Sequence, residues 1–223
     1  MVDVLVFSKD RAAQLDLLLR SIKRFAPRFY RSVTVLYAYS EPCYREGYER
    51  LLYPMRRNLL FVHQRDFEQQ VRHWLEHSDG PVSFLCDDDV FYAPAPPAEE
   101  LRLPWSLRGG DYDYPFSLDG NVYRPEWIRR LLARFSFANP TQLEARGHEH
   151  RHVLPFDSVS GGVPCLVGVP LNRVSVDSRM PSFGVHEFDL NEQWLNGEPL
   201  ELNLPSPPYG THLAASPLVR ALA

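Results

Sequence analysis

Three consecutive aspartates, Asp87-Asp88-Asp89, follow directly on the apolar run Val82-Ser83-Phe84-Leu85-Cys86, and apolar residues resume at Val90-Phe91. The run has the length and composition of a strand buried on both faces. Side chains alternate along an extended chain, so Asp87 and Asp89 are expected on one side and Asp88 on the other. Two carboxylates on one side repel each other. A divalent cation removes that cost, and carboxylate oxygens suit Mg or Mn. The chemistry offered by this spacing is a strand end that grips a metal, which in turn grips a phosphate-bearing ligand. The competing reading is a loop of solvated acids, since Asp is also a common turn and N-cap residue.

Other candidate groups carry weaker signals. Gly147-His148-Glu149-His150-Arg151-His152 resembles a metal cluster, but histidines at alternating positions with no further ligand motif read as a solvated loop. Ser160-Gly161-Gly162 lacks the Lys-Ser/Thr of a phosphate-binding loop and reads as turn chemistry. Asp119-Gly120 offers a carboxylate beside a glycine that permits a tight backbone near a ligand, or else a plain hairpin turn. Asp189-Leu190-Asn191-Glu192 reads as a capping box, which leaves neighbouring Glu187 without an obvious structural duty.

The elements that must position these groups are legible from periodicity. Val2 to Phe7, Val33 to Tyr39, Leu59 to Val62 and Val82 to Cys86 are strand patterns. Between them, Leu15, Leu18, Leu19 and Ile22 fall at helical spacing, residues 41–57 suit a short helix, and Asp66 caps a helix with Gln69 as its reciprocal partner. Strands alternating with helices predict a parallel sheet with right-handed crossovers, whose ligands bind at the carboxyl ends of the strands. Residues 8–11, Ser40-Glu41, His63-Gln64-Arg65 and Asp87–Asp89 all fall at those ends. Ala93-Pro94-Ala95-Pro96-Pro97 is a stiff connector into a second lobe on the same sheet. Beyond it, residues 105–108 and 116–123 suggest short strands. Pro125 opens a helix through Phe135, Asn139-Pro140 breaks it, and Thr141 to Arg146 add one turn. Cys165 to Val169 is a further strand candidate, and a short helix ends near Gly197.

A chain of 223 residues suits one large α/β domain, and 44% hydrophobic with 23% charged residues is ordinary for a globular protein. The net charge of −4 gives no reason to expect nucleic acid as a partner. Cys43, Cys86 and Cys165 are widely spaced and odd in number, which suits free thiols in a reducing compartment. No apolar run approaches the ~20 residues that span a bilayer, and the N-terminus enters a strand pattern at once. The expected location is cytoplasmic, with peripheral membrane contact and oligomeric state left open.

Phe7-Ser8-Lys9-Asp10-Arg11 with the Leu-rich segment behind it, the alternating half over residues 1–92, and Phe84-Leu85-Cys86-Asp87-Asp88-Asp89 together resemble the nucleotide-sugar-dependent glycosyltransferases of the GT-A fold. The aspartates look like that group's Asp-any-Asp motif. The resemblance implies a single α/β domain with a Rossmann-like, mostly parallel sheet: a donor half over 1–92 and a smaller acceptor half over 93–223. It implies that Ser8, Lys9, Asp10 and Arg11 contact the nucleotide. Asp87 and Asp89 would hold Mn or Mg across the two phosphates of a nucleotide-diphosphate sugar, and Asp88 would lie against ribose or sugar. His212, in Tyr209-Gly210-Thr211-His212, would match a further metal ligand. An inverting member needs a carboxylate base for the acceptor hydroxyl; Glu187, Asp189 and Asp119 are the candidates, while a retaining member needs none. The expected activity is metal-dependent hexosyl transfer to a glycan, lipid-linked or other hydroxyl acceptor. A sugar nucleotidyltransferase is the enzymatic alternative, though no glycine lies in Ser8 to Arg11 to grip a triphosphate. A non-catalytic carbohydrate- or partner-binding module on the same scaffold is the other.

Overall fold

The computed structural model describes residues 1–52, 58–95, 115–154, 165–172, 182–202 and 219–221. Its centre is β1 (Val2–Lys9), buried along its whole length except at Lys9. Strand β2 (Tyr30–Ala38) pairs with β1 in parallel, and β3 (Leu59–His63) pairs with β2 in parallel. Strand β4 (Val82–Cys86) lies parallel on the other side of β1, with Val6 opposite Leu85. The short β6 (Val122–Tyr123) closes that edge antiparallel to β4. The order is β3-β2-β1-β4-β6, so the sheet is mostly parallel and the expected α/β class is the class observed.

Alternation along β1 builds two cores. Val2, Val4 and Val6 meet Leu15, Leu18 and Ile22 of α1 (Ala12–Phe25) on one face. Leu5 and Phe7 face the other way, into a cluster with Phe84, with Phe67, Val71 and Leu75 of α3 (Phe67–Glu76), and with Ile128 and Leu131 of α4 (Pro125–Leu132). Each large apolar side chain buried here is worth about 1.5–3 kcal/mol of transfer free energy. The sheet is therefore covered by helices on both faces, as a parallel sheet requires. Helix α4 comes from beyond the Pro-rich connector yet shares a core with β4, and Ala95 N donates to Phe25 O at 2.8 Å.

Several local expectations change. Asp66 does cap α3, accepting from Gln69 N at 2.9 Å, but the side chain that reaches back to Asp66 N is Gln70, at 3.0 Å. Helix α4 ends at Leu132, short of Phe135, and Asn139-Pro140 starts the next helix instead of breaking that one: Asn139 Oδ1 accepts from Gln142 N at 2.9 Å, and α5 runs Pro140–Glu149. The segment expected as a loop over 147–152 thus forms the end of α5 and a 3-10 turn, Arg151–Val153. Gly147 permits this, because a Cβ there would run into the ring of Phe116. Of the strand expected over 116–123, only β6 forms. Gly120, at φ +85°, turns the chain and donates its N–H to Phe84 O at 2.9 Å.

Strand β5 (Asp89–Phe91) leaves the main sheet and pairs antiparallel with β7 (Leu166–Gly168). This ribbon packs on α1 and on α6 (Glu187–Leu195) through Ala13, Leu17, Val90, Val167 and Leu190. Helix α6 in turn lies on α2 (Pro42–Leu52), with Trp194 Nε1 donating to Gly47 O at 3.1 Å and Asn191 Nδ2 to Cys43 O at 3.1 Å. Strands β8 (Leu200–Leu202) and β9 (Val219–Ala221) form a separate antiparallel pair. The three cysteines are free thiols. Among the described residues no helix is long and apolar enough to cross a membrane. The strand expected at 105–108 and the turn at 160–162 lie outside the described residues.

Candidate functional site

The chain runs from β1 outward to β2 and β3, then crosses back to place β4 on the opposite side of β1. The carboxyl ends of β1 and β4 therefore flank a topological switch point, where the crossovers diverge and open α/β sheets bind ligands.

The residues expected at the exit of β1 are drawn together there. Ser8 is buried, and its Oγ lies 2.7 Å from the Tyr48 hydroxyl of α2. Asp10 has φ +58°, unique among the described non-glycine residues. Such a conformation costs about 1–3 kcal/mol. It is offset by three bonds: Ser40 N and Ser40 Oγ donate to the Asp10 carboxylate at 2.6 and 2.9 Å, and Asp10 N donates to Ala38 O at 3.2 Å. The turn aims Arg11 toward the carboxyl end of β4. Arg11 N donates to the Tyr48 hydroxyl at 3.2 Å, Nη1 donates to Asp87 at 2.9 Å and to Asp88 at 3.3 Å, and Nη2 donates to Asn172 O. Lys9 N adds a bond to the other Asp87 oxygen at 3.2 Å. Asn172, just beyond β7, is held by Gln14 Nε2 at 3.0 Å.

The guanidinium is 9% exposed, Asp87 4% and Asp88 24%. Burial pushes the Asp87 carboxyl up to about 6; the Arg11 charge pulls it down and Asp88 pushes it up again. For Arg11, burial opposes the charge, and the two carboxylates more than offset it, so the guanidinium is held charged. Two buried donors of this cluster, Arg11 Nε and Asn172 Nδ2, have no partner among the described residues. Lys9 stands at its edge, half-exposed, with Nζ 4.0 Å from Asp10. No side chain caps the first turn of α1, which begins here.

The expected pairing of Asp87 with Asp89 is not what forms. Asp87 and Asp88 occupy a turn between β4 and β5, so strand alternation stops at Cys86. The turn brings Asp87 and Asp88 onto one guanidinium. Asp89 bends back to close it, its carboxylate accepting from Cys86 N at 2.8 Å. Asp89 is 1% exposed, and burial, then Asp119 and Asp88, push its carboxyl well above the usual range. His212 lies outside the described residues. Among the described residues, no three His, Cys, Asp or Glu side chains form a group able to hold a metal. With the Arg11 guanidinium already between Asp87 and Asp88, and Asp89 closing a turn, the donor set of the described residues does not fit a divalent ion.

The three candidate bases separate. Asp119 lies near Asp89 and Glu144, its backbone N–H bonded to Ser117 Oγ at 3.0 Å. Glu187 opens α6, half-buried, beside Tyr44. The Tyr44 phenol is pushed up to about 12 by burial, by Glu187 and further by Cys43, Asp10 and Glu41. Asp189 is exposed within the first turn of α6 and is not its N-cap; that duty belongs to His186, whose Nδ1 accepts from Phe188 N at 3.2 Å.

Sequence reasoning missed Tyr48, Asn172 and Glu144. Tyr48 sits within a recognised helix segment, with no local cue that its hydroxyl would serve β1. Glu144 accepts from Leu118 N at 3.0 Å, and its carboxyl is pushed up to about 7 by burial and then by Asp119. Nothing in the Thr141 to Arg146 stretch signals that burial.

No protein-family model matches the chain, and no curated protein matches it. The solved structures similar to it include one of an active-site mutant of LgtC. That structure is 12% identical, with 70% of this chain and 67% of the other covered, at a TM-score of 0.35. Another is the galactosyltransferase LgtC in complex with donor and acceptor sugar analogs, with the same identity and coverage and a TM-score of 0.37. Likenesses of this degree assign no residue a role.

Proposed function

We propose that the chain binds a nucleotide-diphosphate sugar in the crevice between the carboxyl ends of β1 and β4, and transfers its sugar to a hydroxyl acceptor. The observation that carries this reading is the coincidence of the switch point with the bonded cluster Ser8, Asp10, Arg11, Asp87 and Asp88. Ligands of open α/β sheets collect at such points, and an uncapped helix start nearby favours phosphate. Residues 1–92 act as the donor half and 93–223 as the acceptor half.

Within this reading Lys9 supplies a mobile positive charge for the diphosphate, whose β-phosphate gains negative charge as the sugar leaves. Asp10 and Asp88 are the acceptors for ribose or sugar hydroxyls. Glu187 takes the acceptor proton if the reaction inverts; it is half-buried near the rim, whereas Asp189 points to solvent and Asp119 lies among other carboxylates. The acceptor is a glycan, lipid-linked or other hydroxyl.

Thermal melts with UDP, GDP, CDP and dTDP, each with and without Mn, test the reading. A nucleotide at a hundred times its Kd stabilises by about 2.7 kcal/mol, and Asp88→Asn should weaken that response. Turnover of the matching nucleotide sugar should fall in Glu187→Gln with little change in donor affinity. No shift with any nucleotide would sink the proposal; binding without turnover would leave a binding module.

A further inference from the structure

We infer that Arg11 is the resident cation of the crevice, occupying the role that three adjacent aspartates would otherwise give to a divalent ion, so that the diphosphate binds without metal. The inference deepens the reading above and rests on it for the identity of the ligand. Its own ground is geometric. The turn at Asp87-Asp88 delivers two carboxylates to one guanidinium, at 2.9 and 3.3 Å, and removes the third to Cys86 N. An ion bound directly to carboxylate oxygens sits about 2.0–2.6 Å from them. Asp87 has one oxygen on Arg11 Nη1 and the other on Lys9 N, so a second cation placed on that carboxylate would stand beside the guanidinium charge and be repelled by it.

Arg11 is also fastened from behind in a way that a merely surface-paired arginine is not. Its Nη2 donates to Asn172 O, Asn172 is bonded to Gln14, and Arg11 N is bonded to Tyr48. A guanidinium cannot lose its proton in a protein and cannot be chelated away. Arg11 Nε and Asn172 Nδ2, unpartnered among the described residues, are donors, the kind of group that phosphate oxygens satisfy and a metal ion does not. Half-exposed Lys9 stands at the edge of the cluster, its Nζ 4.0 Å from Asp10. Arg11 and Lys9 thus nearly balance Asp10, Asp87 and Asp88, and the chain itself supplies the donors.

The test titrates the wild-type protein calorimetrically with Mn chloride alone, and then with each of UDP, GDP, CDP and dTDP in EDTA or in Mn. The expected result is no Mn binding tighter than about 1 mM and nucleotide affinities in EDTA and Mn within about twofold of each other. Mn binding tighter than that and lost in Asp87→Asn, or a nucleotide affinity that falls more than about tenfold in EDTA, overturns the inference. If no nucleotide binds in either condition, the donor reading fails, and the Mn-alone titration still decides the role of Arg11. Arg11→Met supplies a second readout: it frees Asp87 and Asp88, so Mn should raise its melting temperature where it leaves wild type unmoved. Equal responses from the two proteins would overturn the inference; if the variant does not fold, the wild-type titration decides alone.

Discussion

Replacing Glu144 by Gln should stabilise the protein, and only above mildly acidic pH. The Glu144 carboxyl is carried from 4.5 to about 7 by burial and by the facing Asp119. A carboxyl raised on folding binds more protons in the native state, so its contribution is fully present below pH 4.5 and is lost as pH rises through about 7. The shift corresponds to roughly 3 kcal/mol opposing folding once Glu144 is ionised. Gln cannot ionise, keeps an oxygen to accept from Leu118 N, and offers N–H groups to a neighbouring carboxylate. An amide must itself be desolvated, so the net gain is about 2 kcal/mol. For a chain of this size that is about 4–8 °C in Tm at high pH. Melts of both proteins at about pH 5 and about pH 8 measure it, with a gain near zero at the lower value. Asp87 and Asp89 are also raised by burial and tilt the pH dependence of both proteins the same way, so the difference between variant and wild type reports Glu144 together with Asp119, the carboxylate it titrates with. An equal difference at the two pH values, or a variant less stable at pH of about 8, would refute the argument that a buried charge is what Gln removes.

Two further substitutions test the supports of the crevice. Gly120→Ala places a side chain at φ +85° and a Cβ 2.5 Å from Leu166 Cδ2, beside the Asp119 turn. It should cost about 1–3 kcal/mol, read as a lower urea midpoint with unchanged slope; an unmoved midpoint would mean that the turn relaxes freely. Tyr48→Phe removes the hydroxyl shared by Ser8 Oγ and Arg11 N, leaving buried groups unpaired at a cost of about 1–3 kcal/mol. A Phe variant as stable as wild type would show that those groups find other partners.

Much of the first 92 residues was legible locally. Strand and helix periodicities, the apolar stripe of α1 and the Asp66 cap are set by neighbours within a few residues, as is the Pro125 helix start beyond them, and there spacing and side-chain type are sufficient. The polar ends of β1, β2 and β4 could be placed on one rim because parallel strands joined by crossovers must all end on the same side. That Ser8–Arg11 and Asp87–Asp89 share one edge of the sheet follows from that topology alone.

What each aspartate does was decided elsewhere. Strand alternation assigned Asp87 and Asp89 to one side, but a turn of two residues cancels alternation, and nothing local announces the turn until β5 has a partner in β7. The cation that meets Asp87 and Asp88 comes from 76 and 77 residues away, and the carbonyl that anchors it from 161 residues away. Glu144 became a desolvated acid only because the 116–120 segment, through Leu118 N and Asp119, folds against α5. Local pattern determines which elements form and which edge of the sheet carries the polar groups. The partner of each charge depends on contacts between distant segments, and those exist only once the chain has closed around β1.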